Sequence, residues 1–158
     1  HQWWGNLVTC ASWRDFWLNE GMATFMTAAW KEHRFGRVAY NAELAVARQR
    51  VDAARAKGFD KPLTWDGDYP TLGTRRAIQY SKGALFLDQL RQAMGDAAFW
   101  TGIRDYTRKH AGGTVTSEEF QHDMQQASTH DLAPLFAQWV QGNQESLWSA
   151  ARPDVAAP

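Results

Sequence analysis

Apolar positions recur at helical spacing almost throughout the chain, and no strand-like alternation runs longer than a few residues. Leu18, Met22, Phe25 and Ala29 step by 4, 3 and 4, which places them on one stripe of a helix from about Trp17 to His33, broken at Gly36. A second helix buries Tyr40, Leu44, Ala47, Val51 and Ala54, turns Glu43, Arg48, Arg50, Asp52 and Arg55 mostly to water, and ends at Gly58. Between Gly58 and Gly73 the pattern dissolves into Pro62, Trp65, Asp66-Gly67 and Tyr69-Pro70, a connection longer than is usual inside a compact domain.

Helical spacing resumes at Arg75 with Tyr80, Ala84, Leu87, Leu90 and Met94, and Gly95 closes it. Asp96 stands where a cap for the next helix belongs, with Phe99, Ile103 and Tyr106 inward until Gly112-Gly113. Thr116 and Glu119, three apart, read as a capping box for a helix burying Phe120, Met124 and Ala127. A last helix buries Leu132, Leu135, Phe136, Trp139 and Val140. The pattern predicts an all-α fold of six or seven helices over residues 1–142, with the Ala/Pro-rich residues 143–158 a tail or the start of a linker to a missing domain.

Composition narrows the function classes. At 158 residues, 44% hydrophobic and 22% charged, the chain has the balance of one globular domain. Lys plus Arg equals Asp plus Glu at 17 each, so no net field selects nucleic acid or an anionic membrane as partner. No run of about 18 apolar residues could span a bilayer. Cys10, the single cysteine, has no internal disulfide partner and no accompanying base, reads as a packed thiol, and leaves localisation open. Nine tryptophans are unusual at this size, and Trp3, Trp4, Trp13 and Trp17 crowd the first 17 positions.

Residues 1–20 read HQWWGNLVTCASWRDFWLNE. Trp4-Gly5-Asn6-Leu7-Val8-Thr9 followed by Trp17-Leu18-Asn19-Glu20-Gly21 resembles the membrane-alanyl (aminopeptidase N) family of zinc peptidases, relatives of leukotriene A4 hydrolase. In that family an H-E-x-x-H helix supplies two zinc histidines and a catalytic glutamate, and a W-L-N-E-G stretch returns the third ligand. The 18 residues separating His1 from Glu20 match the family interval. The resemblance implies that His1 and Glu20 are ligands of one zinc ion. Two imidazoles and a carboxylate leave such a metal positive enough to acidify its water. Taken singly, His1 and Glu20 would read as ordinary helix-surface residues.

A second match, Ile78-Gln79-Tyr80-Ser81-Lys82-Gly83-Ala84-Leu85, resembles the family's Y-x-K-G-A helix and implies that Tyr80 is the oxyanion donor. On its own pattern Tyr80 is equally a core aromatic. Asn19 either orients Glu20 or caps locally. Asp15, His33, His110, His122 and His130 match no ligand position and read as surface or interhelical polar residues.

By the same resemblance the chain is the helical lobe of a thermolysin-like domain, the C-terminal part of a catalytic domain. The first zinc histidine, the general-base glutamate and the Gly-x-Met-x-Asn segment that grips the substrate amine are then missing upstream partners. The parent is expected to hydrolyse N-terminal residues from peptides. The chain alone is expected to be inactive, to bind zinc weakly or not at all, and to self-associate through Trp3, Trp4, Trp13 and Trp17, left exposed or repacked. Epoxide hydrolysis of the leukotriene type uses the same apparatus and stays open, as does side-chain preference. The alternative from another class is a non-catalytic helical binding or scaffold module.

Overall fold

The structure, a computed structural model, describes residues 1–142; the expected tail or linker over 143–158 lies outside the described residues. The chain opens with turns, a short strand β1 (Val8–Cys10) and a 3-10 turn (Trp13–Asp15), and then becomes helical. The helices are α1 (Trp17–Phe35), α2 (Arg37–Ala56), α3 (Leu72–Arg75), α4 (Gly83–Met94), α5 (Asp96–His110), α6 (Ser117–Ala127) and α7 (Ala133–Phe136). A π-helical stretch, Arg76–Lys82, welds α3 to α4, and a second, Ala137–Gln141, extends α7. Strand β2 (Gly113–Val115) runs parallel to β1, with Val8 opposite Gly113 and Cys10 opposite Val115. The all-α expectation holds, since the two strands together span six residues. Among the described residues no helix is long and apolar enough to cross a membrane.

The expected buried faces are the observed ones in α2, where all five predicted positions are core, and in α5, where Phe99, Ile103 and Tyr106 are buried; in α6 Phe120 and Met124 are buried and Ala127 only partly so. Trp17, fully buried, stacks edge-on against Phe86 (5.5 Å) and Phe120 (5.8 Å), and Phe86 meets Phe136 at 5.0 Å. One aromatic chain therefore ties α1, α4, α6 and α7 together. Of the four early tryptophans, Trp17 is core, Trp4 is half-buried, and Trp3 and Trp13 are exposed.

Two details depart from the pattern. Asp96 does not cap α5; Gly95 holds that position at φ +82°, and the Asp96 carboxylate instead accepts two hydrogen bonds of 2.8 Å from Arg91. A buried guanidinium that also donates to Glu32 on α1 outcompetes a helix terminus for that carboxylate. The helix expected from Arg75 begins at Leu72, because Thr71 and Thr74 form a capping box. The Thr116–Glu119 box is present as expected, with bonds of 2.8 and 3.2 Å.

Candidate active site

The first turns bring His1 back over the start of α1. The Trp3 carbonyl accepts from the amides of Leu7 (3.1 Å) and Val8 (3.0 Å), and the Gly5 amide donates to Val8 O (2.8 Å). Gly5 has φ +125°, and a Cβ there would lie 3.3 Å from the His1 carbonyl oxygen, so only glycine closes this turn without strain. Asn19 anchors the other side: its Oδ1 accepts from the Cys10 amide (3.1 Å) and its Nδ2 reaches Cys10 Sγ (3.6 Å). It thus fastens the end of β1 to the first turn of α1. Burial, then the nearby Asp15 carboxylate, pushes the Cys10 thiol up, which suits a packed and unreactive sulfur.

On that frame the imidazole Nε2–H of His1 donates to Glu20 Oε2 across 2.6 Å. The pair is asymmetric, with His1 mostly open to solvent and the Glu20 side chain only 8% exposed. Burial pushes the Glu20 carboxyl above its ordinary range, offset in part by the Tyr80 hydroxyl and the Arg75 charge. Tyr80 is raised in turn, first by burial and then by the Glu20 charge, so its phenol stays protonated and able to donate near neutral pH. The three residues singled out from sequence, His1, Glu20 and Tyr80, therefore occupy one neighbourhood.

Two close approaches create it. Gly21 and Gly83 bring α1 and the start of α4 into backbone contact, one residue beyond Glu20 and three beyond Tyr80. The π-helical turn then rotates Tyr80 away from the α4 stripe, which leaves it half-buried while Ala84, Leu87 and Leu90 are fully buried. Sequence periodicity alone could not show that turn. Lys82, buried beside it, donates to Asp60 Oδ1 (2.9 Å) and the Lys61 carbonyl (2.6 Å), and so pins the long 57–71 connection against the same helix.

Asp15 and His110 have structural partners outside the motif. Asp15, 2% exposed, accepts from the Ser117 amide (2.9 Å), Ser117 Oγ (2.7 Å) and Ser12 Oγ (2.7 Å), and Trp17 Nε1 donates to the same Ser117 oxygen at 3.0 Å. It is an interhelical tie between the 3-10 turn and α6. His110 pairs with Asp123 at 2.7 Å between α5 and α6. Sequence reasoning missed Arg75, whose guanidinium lies over the rings of Trp13 (5.4 Å) and Phe16 (5.2 Å) close to Glu20.

The atoms that meet in the His1–Glu20 pair, an imidazole Nε2 and a carboxylate oxygen, are the donor types zinc takes. Among the described residues no third His, Cys, Asp or Glu joins them in a metal-sized cluster. The two fit zinc as part of a donor set.

Comparison with known proteins identifies the family. Residues 1–139 match the family model described as the peptidase family M1 domain. The chain is 29% identical over 145 residues to the probable aminopeptidase 2 of Sulfurisphaera tokodaii, covering 89% of this chain and 18% of that protein. To aminopeptidase N of Lactococcus lactis it is 28% identical over 149 residues, covering 89% and 17%. The chain thus spans under a fifth of these curated relatives. Among solved structures, the M1 zinc metallopeptidase of Deinococcus radiodurans superposes with a TM-score of 0.72 at 27% identity over 100% of this chain and 33% of that one, in a mutant bound to a Tyr-Ser-Ala substrate. The yeast leukotriene A4 hydrolase shares the fold at a TM-score of 0.75 and 21% identity, over 100% of this chain and 25% of that one.

Proposed function

Because the chain belongs to peptidase family M1, we propose that its parent is a zinc-dependent aminopeptidase in which His1 and Glu20 hold the metal and Tyr80 stabilises the oxyanion. The observation that carries this reading is the convergence of the three, with His1 on Glu20 at 2.6 Å and Tyr80 close enough for its acidity to respond to the Glu20 charge. Zinc, when bound, supplies a Lewis acid and lowers the pKa of its water toward neutrality.

The chain's own residues do the rest. Glu20 presents a carboxylate from a rigid, buried helix turn, and the Gly5 turn presents the His1 ring, so both donors are preorganised. Tyr80 donates a hydrogen bond to the carbonyl oxygen of the cleaved peptide, and that bond strengthens as the oxygen gains charge. Its raised pKa keeps the proton on the donor. Hydrolysis needs a third metal donor and a general base alongside these two. Residues 1–142 act as the helical C-terminal part of that catalytic domain. The peptide complex of the Deinococcus relative supports peptides as substrates.

The experiment is hydrolysis of alanyl anilides by the intact parent, before and after removal of zinc by a chelator. Zinc-dependent release of the anilide is the expected result. A metal-loaded parent that leaves aminoacyl anilides and dipeptides intact would sink the proposal.

A further inference from the structure

Arg75 is a half-buried cation beside the proposed reaction centre that pairs with no carboxylate among the described residues. The well-buried cations elsewhere are neutralised: Arg91 by Glu32 and Asp96, Lys82 by Asp60. Arg75 spends only its Nε, which donates to Gln79 Oε1 at 2.9 Å and leaves its terminal nitrogens without a partner among the described residues. Stacking over Trp13 and Phe16 fixes the plane of the guanidinium.

The residue lines a cavity of about 150 Å3 together with Trp13, Trp65, Tyr69 and Gln79. Tyr69 contributes a second feature, a buried hydroxyl beside Gln79 whose proton has no acceptor among the described residues. A buried donor without an acceptor costs free energy unless a ligand supplies one. The lining therefore offers a planar cation, an unused hydroxyl and aromatic walls, which is the chemistry that receives a carboxylate. Asp66 also lines the cavity and stays exposed, unpaired with Arg75.

The geometry points to Arg75 as a specificity residue that binds a carboxylate on the substrate, on the far side of the cleaved bond from the free amine. The inference rests on the aminopeptidase reading. An aminopeptidase substrate is cationic at its amino end, and a guanidinium there would repel it, so Arg75 faces the leaving portion. The carboxylate is either the C-terminus of a short peptide or an Asp or Glu side chain next to the cleaved bond; both present the same oxygens.

The test uses the intact zinc-loaded parent and four substrates: alanyl anilide, Ala-Ala, Ala-Ala-amide and Ala-Glu-amide. The wild type should favour at least one carboxylate-bearing substrate over Ala-Ala-amide by about tenfold in kcat/KM, mostly through KM, the scale of one charge-assisted contact. Preference for Ala-Ala identifies the C-terminus, and preference for Ala-Glu-amide the side chain. Arg75→Gln should abolish the preference within its own substrate series, Arg75→Lys should keep part of it, and Asp66→Asn should strengthen it. The Lys and Asn variants decide the matter if Arg75→Gln does not fold. A wild type without carboxylate preference, or a preference that survives Arg75→Gln, overturns the assignment while anilide turnover still upholds the peptidase. A parent inert on the anilide overturns both.

Discussion

Gly21 and Gly83 touch backbone to backbone: a Cβ on Gly21 would sit 2.9 Å from the Gly83 Cα, and one on Gly83 2.8 Å from the Gly21 Cα. Both helices are held in the core beside this contact, α1 through Phe25 and α4 through Phe86 and Leu87. Gly83→Ala should therefore destabilise the chain by about 1–3 kcal/mol from overpacking, despite the better helix propensity of alanine. Urea unfolding measures it. A neutral or stabilising result would mean that the two helices do not meet this closely.

Asp15 is the polar counterpart of that contact. Replacing it by Ala strips partners from the Ser117 amide and hydroxyl and from Ser12, and should cost about 3 kcal/mol. Ser117→Ala, which leaves the amide–carboxylate bond in place, should cost clearly less. Thermal unfolding of the two variants side by side checks the order.

Acid should unfold the protein through a small set of carboxylates. Burial alone would raise Glu32, Asp60 and Asp123, but Arg91 with Arg37, Lys82 with Arg55, and Lys109 with His110 override it and hold them below their ordinary values; Arg91 does the same for Asp96. A carboxyl lowered in the folded state adds stability that is complete above its unfolded value, 3.8 for Asp and 4.5 for Glu, and is lost as pH falls through the folded value. Glu20, raised by burial, works in the opposite direction. With four against one, the melting temperature should hold from neutral to about pH 5 and fall below pH 4. A melting temperature that rises on acidification contradicts the assignment.

In the intact parent, Tyr80→Phe should lower kcat about 100- to 1,000-fold with little change in KM, because the lost hydrogen bond matters most in the transition state. Glu20→Gln should instead release zinc, read as metal content after gel filtration. A Phe variant that keeps full kcat would return Tyr80 to the role of a packing aromatic.

Trp3, Trp13, Trp30, Phe35, Val38 and Leu72 are large apolar side chains left exposed. This chain on its own should therefore self-associate as concentration rises, and Trp30→Arg should weaken the association. Light scattering across a concentration series would show it, and a monodisperse monomer at high concentration would argue against it.

Most helices of the fold are legible in the sequence, because burial of an amphipathic face imposes its period directly on the residues. Tyr40, Leu44, Ala47, Val51 and Ala54 are the clearest case. The second capping box was legible for the same reason, being a local bond between residues three apart. The family resemblance carried by the two motifs also pointed to His1, Glu20 and Tyr80.

What lay beyond the sequence was every feature that depends on residues far apart in the chain. Asp96 fails as a cap because Arg91 claims it, and the π turn that re-aims Tyr80 leaves no trace in apolar spacing. Nothing in the sequence pairs Asp15 with Ser117, 102 positions away, or sets Arg75 over Trp13 and Phe16. Local period and local hydrogen bonds are short-range properties that a string of residues can carry. Which charge meets which partner, and which helices approach closely enough to require two glycines, is settled only when distant segments compete for the same space.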